Sequence, residues 1–228
     1  MSEMRIHLVE EEIRDSFAAG VEVRGGDADQ PAVLGGYAAV FGQETIIQSN
    51  TGLQWRERIA PTAFSEAIGR DDVIAAPNHD HRQVLGRTKN GTLALKVDAH
   101  GLHYTVTLPN TTVARDTVES VRRGDYSGSS FKFIVPKGGA RIAKEAGVGP
   151  DDLPLLIIER VKLIDVGPVT FPAYEGTSVS ARSVPEIVST FYREQEAVAR
   201  EAEAAKTPAS RALEAALAQI QAARAQVV

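Results

Sequence analysis

Two adjacent serines, Ser129 and Ser130, lie where a run of turn residues gives way to an alternating apolar pattern. Residues 124–128 (GDYSG) favour a turn, because glycine tolerates positive φ and because aspartate and serine bond their own backbone. Residues 131–135 (FKFIV) alternate in the manner of a half-buried strand. A serine at such a junction has a fixed direction and stays accessible to solvent, as a nucleophile must. A polar turn that merely caps a hairpin has the same pattern, so the serines need support from elsewhere.

A serine becomes a nucleophile at neutral pH only beside a base, and histidine is the usual base because imidazole titrates near neutrality. His79 and His81 share a polar segment directly after the apolar run 73–76. The ends of buried strands are common places for functional side chains. Either histidine is therefore a candidate base, and either could instead only cap its loop. The other histidines are interpreted as surface or strand residues: His7, His100 and His103.

A catalytic base is usually oriented by a third group, and Asp165 is the acidic candidate on a late predicted strand. Its neighbours Ile164 and Val166 are apolar, but an outward-facing aspartate on an edge strand would fit equally well. The segment 79–81 (HDH) also has the residue types of a cation site. Because no further ligand follows at a defined spacing, we predict no metal and no cofactor.

Composition restricts the class of protein. The chain has 228 residues, of which 43% are hydrophobic and 24% charged, as expected for a globular protein with a core. The formal net charge of −5 disfavours nucleic-acid binding. The absence of cysteine excludes disulfides and a cysteine nucleophile. The charged N-terminal residues and the lack of a long apolar run lead us to expect a cytosolic protein with no membrane partner.

Periodicity predicts a mainly β chain with a few helices between strands, of the α+β class. We expect a loop over residues 42–54, short helices over 61–69 and 111–123, and a polar, turn-rich segment over 136–154. The final strand, 165–174, is expected at a sheet edge because it contains two prolines. The predicted strands are residues 34–41, 55–60, 73–76, 92–98, 102–108, 131–135, 155–163 and 165–174.

The composition changes after Arg182. Residues 185–206 and 209–228 place apolar side chains at helical spacing and predict two amphipathic helices. We therefore predict a globular domain over residues 1–183 and a helical tail over residues 184–228. The tail is expected to serve in docking, in oligomerisation or as a self-cleaved segment, and a simple stabilising cover is an equal alternative.

The order of several segments resembles the prohead maturation serine proteases of tailed bacteriophages, over residues 33–182. Two positions differ from the usual family pattern: Thr62 stands in place of a glycine, and Ser129 stands where methionine is common. The second difference leaves Ser129 as a rival to Ser130. The matching segments are GYAAVF (36–41), ERIAPTAF (57–64), NHD (78–80), VLGRT (84–88), GTL (91–93), GL (101–102), RGDYSGSSF (123–131) and DVGPVTFPAY (165–174).

The resemblance implies the chemistry and the partners of that family. The family nucleophile and base fall on Ser130 and His79, and we carry Asp165 over as the orienting acid. The implied fold is that of the herpesvirus assemblin protease, a closed, mostly antiparallel β-barrel wrapped by a few helices. The implied substrates are the major capsid protein and its scaffold segment, with autoprocessing and self-association possible, inside the prohead in the host bacterial cytoplasm.

Two other functions remain open on the sequence. The same fold could act as a non-catalytic capsid-assembly or scaffold-binding module, which the acidic charge and the tail would suit. The joint presence of His79 and Ser130 argues against that alternative. A metal-dependent hydrolase that uses His79 and His81 would lose its activity to a chelator.

Overall fold

The structure, a computed structural model, describes residues 12–16, 20–26, 31–49, 52–143, 153–171, 178–179 and 183–205. The chain divides into two compact units, Met1–Val188 and Ser189–Val228. The first is mainly β with few helices, which confirms the predicted α+β class. The boundary expected between residues 183 and 184 stays a prediction. The expected helix over 209–228 lies outside the described residues.

Each of the eight predicted strands overlaps a described strand, and six further strands lie outside the predicted ranges. They are β1 (Glu12–Ser16), β2 (Val21–Arg24), β3 (Val33–Val40), β4 (Glu44–Ser49), β5 (Gln54–Ile59), β6 (Ile74–Ala75), β7 (Gly86–Arg87), β8 (Leu93–Val97), β9 (Gly101–Thr107), β10 (Gly128–Ile134), β11 (Ala140–Ile142), β12 (Leu155–Ile158), β13 (Lys162–Val169) and β14 (Ser178–Val179).

Three α-helices accompany these strands in the described residues: α1 (Ala67–Arg70), α2 (Thr112–Arg123) and α3 (Ser183–Ala205). Two short 3-10 helices cover Pro77–His79 and Thr88–Asn90. The Thr111 hydroxyl accepts a hydrogen bond from the backbone N–H of Ala114 and caps the start of α2. Gly124, with φ of 82°, ends α2 in the left-handed conformation that glycine favours. No helix of the described chain is long and apolar enough to cross a membrane.

The strands form three sheets. Sheet A has the order β1-β10-β13-β6-β7, sheet B the order β2-β3-β9-β8, and sheet C the order β11-β12-β5-β4-β14. The closed barrel that the resemblance implied is not confirmed, since none of these sheets closes on itself within the described ranges.

Aromatic packing holds β10 in place. The rings of Phe131 and Phe133 stack with centroids 5.0 Å apart, and Phe64 meets Phe131 edge-on at 5.5 Å. All three side chains are buried. Burial of one such side chain stabilises the fold by about 1.5–3 kcal/mol. The strand that carries Ser130 is therefore a rigid part of the core.

Several local expectations were wrong. β4 lies inside the expected loop 42–54, and the expected helix 61–69 is reduced to the single turn α1. β13 lies between β10 and β6 and is not an edge strand. Its proline is tolerated because β6 pairs with β13 only at Asp165 and Val166. The end of β13 that contains Pro168 pairs with β10 on its other side.

Candidate active site

Three adjacent strands of sheet A bring the predicted residues together. In the antiparallel pair β10–β13, Ser130 lies opposite Gly167, and Lys132 lies opposite Asp165. Because side chains alternate along a strand, Ser130 and Asp165 project from the same face of the sheet. The neighbouring strand β6 runs parallel to β13 and pairs Ile74 with Asp165. The segment that leaves β6 therefore emerges beside Asp165.

The imidazole of His79 lies between the serine and the carboxylate. Its Nε2 atom is 2.5 Å from Ser130 Oγ, and its Nδ1 atom is 2.5 Å from Asp165 Oδ1. Ser130 and Asp165 are 0% exposed, so the expectation that the serine stays accessible to solvent was wrong, and the His79 side chain is 9% exposed. An ionised carboxylate can only accept, so Nδ1–H donates to Asp165 and Nε2 is left to accept the serine O–H. This is the tautomer in which a histidine can remove a proton from serine.

The loop that carries His79 has an unusual backbone. Asn78 and His79 have φ of 47° and 57°, in the left-handed region that non-glycine residues seldom occupy. The Asn78 side chain compensates by accepting a hydrogen bond from the Thr170 backbone N–H at 3.0 Å. Strained residues of this kind persist where the surrounding structure holds them, and they cluster at functional sites.

Asp80 completes this loop and does not reach Asp165 or Ser130. Its carboxylate accepts from the backbone N–H and the Nε–H of Arg82, at 3.0 and 2.9 Å, and from the Gln83 amide at 2.8 Å. The hydrogen bond from the Arg82 side chain is the largest of the causes that hold the pKa of Asp80 well below its ordinary range. Asp80 therefore stabilises the loop as an ionised carboxylate.

The two serines face opposite ways. Ser129 Oγ is 3.2 Å from the hydroxyl of Tyr104, and both side chains are buried. Burial raises the pKa of the Tyr104 phenol, so that the hydroxyl stays protonated. Ser130 instead points to His79 on the other face of the strand. Ser129 therefore has its own hydrogen-bond partner, Tyr104, and its side chain points away from the His79 imidazole.

His81 makes a contact that the sequence did not predict. Its Nε2 atom is 2.5 Å from Asp165 Oδ2, so the two imidazoles bind the two oxygens of one carboxylate. In the sequence, the feature that could have indicated this contact was that His79 and His81 are two positions apart. The rings of His100 and His103 each contact the Tyr37 ring edge-on, while His7 is outside the described residues. The described side chains include no group of three or more that could hold a metal.

Gly167 has a structural role that the sequence did not predict. A Cβ atom at this position would lie 2.0 Å from the carbonyl oxygen of Ala76. The backbone N–H of Ala76 also donates to the Val166 carbonyl at 3.0 Å. Only a glycine allows this close approach, which sets where the segment toward His79 leaves the sheet.

A serine, a histidine and a carboxylate hydrogen-bonded in series form the arrangement that serine hydrolases use. A comparison with protein-family models matched residues 19–189 to the caudovirus prohead serine proteases. The chain belongs to that family. Membership implies that the protein is a hydrolase of the bacteriophage prohead. It also implies interaction with capsid or scaffold proteins inside the prohead, in a bacterial host. Searches of curated proteins and of solved structures found no match.

Proposed function

We propose that this protein is a serine endopeptidase that cleaves the major capsid protein and its scaffold segment as the prohead matures. The observation that carries the proposal is the continuous series from Ser130 through His79 to Asp165, with 2.5 Å at each of its two hydrogen bonds. General-base assistance of this kind contributes about 10²–10⁴-fold to a reaction rate. A serine that only capped a turn would have no need of an oriented imidazole.

The reaction begins when Ser130 Oγ attacks the scissile carbonyl carbon while its proton passes to His79 Nε2. Asp165 accepts the hydrogen bond from Nδ1–H and stabilises the imidazolium. The tetrahedral intermediate collapses as the C–N bond breaks, and His79 gives its proton to the leaving amine. A water molecule, deprotonated by His79, then attacks the acyl ester and releases the new carboxylate and the free serine.

Two further parts of the prediction belong to this proposal. The helical tail from residue 184 would dock the enzyme in the shell, associate with other copies or be removed by self-cleavage. The assemblin-like barrel would be completed by sheet contacts beyond the pairings described above. Neither part is needed for the chemistry at Ser130.

The decisive experiment is co-expression with the major capsid protein of the same phage, followed by mass spectrometry of the assembled particles. Ser130→Ala removes the proposed nucleophile. Ser127→Ala is the matched control, because it makes the same change at an exposed residue of the same segment. Ser129→Ala tests the rival serine. We expect truncated capsid protein with the wild type and both of those variants, and full-length capsid protein with Ser130→Ala.

Each other outcome has a definite meaning. Truncation that persists with Ser130→Ala but stops with Ser129→Ala would move the nucleophile to Ser129. Truncation with every variant would assign cleavage to a different protease. Full-length capsid protein in particles that contain the wild-type chain would favour the non-catalytic assembly module.

A further inference from the structure

The second oxygen of Asp165 is occupied by a histidine outside the proposed catalytic series. Asp165 is fully buried, and its Oδ1 atom accepts the hydrogen bond from His79 Nδ1. His81 Nε2 lies 2.5 Å from the other oxygen, Oδ2. A carboxylate removed from water is costly unless its oxygens accept hydrogen bonds. Within the described residues, the two imidazoles are the side chains that meet this need.

The loop geometry directs His81 to this position. Asn78 and His79, in the segment that follows β6, have a left-handed backbone. The Asp80 N–H then donates to the Pro77 carbonyl at 3.0 Å, while the Asp80 carboxylate is used by Arg82 and Gln83. His81, two residues after His79, is thereby turned back toward the same carboxylate.

We infer that His81 is a positioning residue for the reaction. The Nε2–H of His81 donates to Asp165 Oδ2 and stops the carboxylate from turning about its Cβ–Cγ bond. Oδ1 then stays directed at the Nδ1–H of His79. This inference rests on the proposed function, since it assigns His81 a role in the same series.

The difference in exposure between the two histidines supports this division of roles. The His79 side chain is 9% exposed and contacts both Ser130 and Asp165. The His81 side chain is 41% exposed, and the hydrogen bond it gives is to Asp165. A residue that acts only through the carboxylate needs no contact with the serine. It should also be replaceable by another hydrogen-bond donor of similar reach.

The test compares His81→Leu, which removes the donor, with His81→Gln, whose amide N–H can reach the position of Nε2. His100→Leu makes the same deletion at an exposed histidine of the β8–β9 turn and is the matched control. The readout is the rate of labelling by a fluorophosphonate, followed by intact-protein mass. We expect His81→Leu to lower that rate about 10–150-fold, the effect of one hydrogen bond to a charged group. His81→Gln should stay within about threefold of wild type.

A second readout does not depend on catalysis. The proton shared by His79 Nδ1 and Asp165 should give a low-field proton NMR resonance in the resting protein. We expect it in the wild type and in His81→Gln, and expect it to shift or broaden in His81→Leu. The inference is wrong if His81→Leu behaves as His100→Leu does, or if His81→Gln is as impaired as His81→Leu. Labelling that continues in Ser130→Ala would instead refute Ser130 as the nucleophile of the proposed function, and the resonance would still decide the role of His81.

Discussion

Replacement of Asp165 by asparagine should disable the proposed nucleophile without changing the shape of the site. The carboxylate accepts from two imidazoles, at 2.5 Å from each. An amide offers one acceptor oxygen, so its NH₂ group must face one ring. Where it faces His79, Nδ1 has to accept, the ring proton moves to Nε2, and Nε2 can no longer take the serine proton.

The size of the effect follows from what is lost. A hydrogen bond to a charged group contributes about 1.5–3 kcal/mol, which corresponds to about 10–150-fold in rate. Complete loss of general-base assistance would reach about 10⁴-fold. We therefore expect Asp165→Asn to react with a fluorophosphonate about 10²–10⁴-fold more slowly than the wild type.

The assay needs two controls. Asp116→Asn makes the same substitution at an exposed residue of α2 and should label at the wild-type rate. Thermal unfolding should show that Asp165→Asn remains folded. If the folded Asp165→Asn variant labels within about threefold of wild type, the carboxylate does not orient the base and the reasoning fails.

Two more predictions concern the framework. Gly167→Ala should lower Tm by about 3–10 °C and abolish labelling by the fluorophosphonate, because the added Cβ would clash with the Ala76 carbonyl oxygen. The control Gly69→Ala adds a Cβ where nothing lies within 4 Å and should change neither Tm nor labelling. Equal Tm values for the two variants would contradict the account. The Tyr37 hydroxyl donates to Asp98 at 2.8 Å and lowers its pKa. Its contribution to stability is therefore present above the ordinary carboxyl pKa of about 3.9 and lost as pH falls through the lowered value. The Tm difference between wild type and Asp98→Asn should be largest near neutral pH and shrink below about pH 4; a difference independent of pH would count against it.

The residues at the centre of the site could be named from sequence because each lies in a segment with its own local signal. Ser130 follows a turn and begins an aromatic strand, and His79 follows a short buried strand. Ser130 and His79 are 51 residues apart along the chain, and His79 and Asp165 are 86 residues apart. The contact between them is produced by the order β10-β13-β6 of sheet A. Local patterns do not encode that order, so the resemblance to a family was needed to group the three residues.

The errors also have physical reasons. Prolines suggested an edge strand over residues 165–174, but whether proline is tolerated depends on how far the neighbouring strand extends, and β6 is two residues long. Pro172 to Tyr174 lie outside the described residues. The contact of His81 with Asp165 depends on left-handed φ at Asn78 and His79. Neither of those residue types requires that conformation, so no sequence pattern predicts it.

The central claim is that Ser130 is the reactive serine, and the most direct test is to locate the residue that a fluorophosphonate modifies. Tandem mass spectrometry of the labelled peptide separates adjacent serines. We predict a single adduct on Ser130 that disappears in Ser130→Ala and survives in Ser129→Ala. An adduct on Ser129, or a wild-type protein that is not labelled at all, would contradict the account.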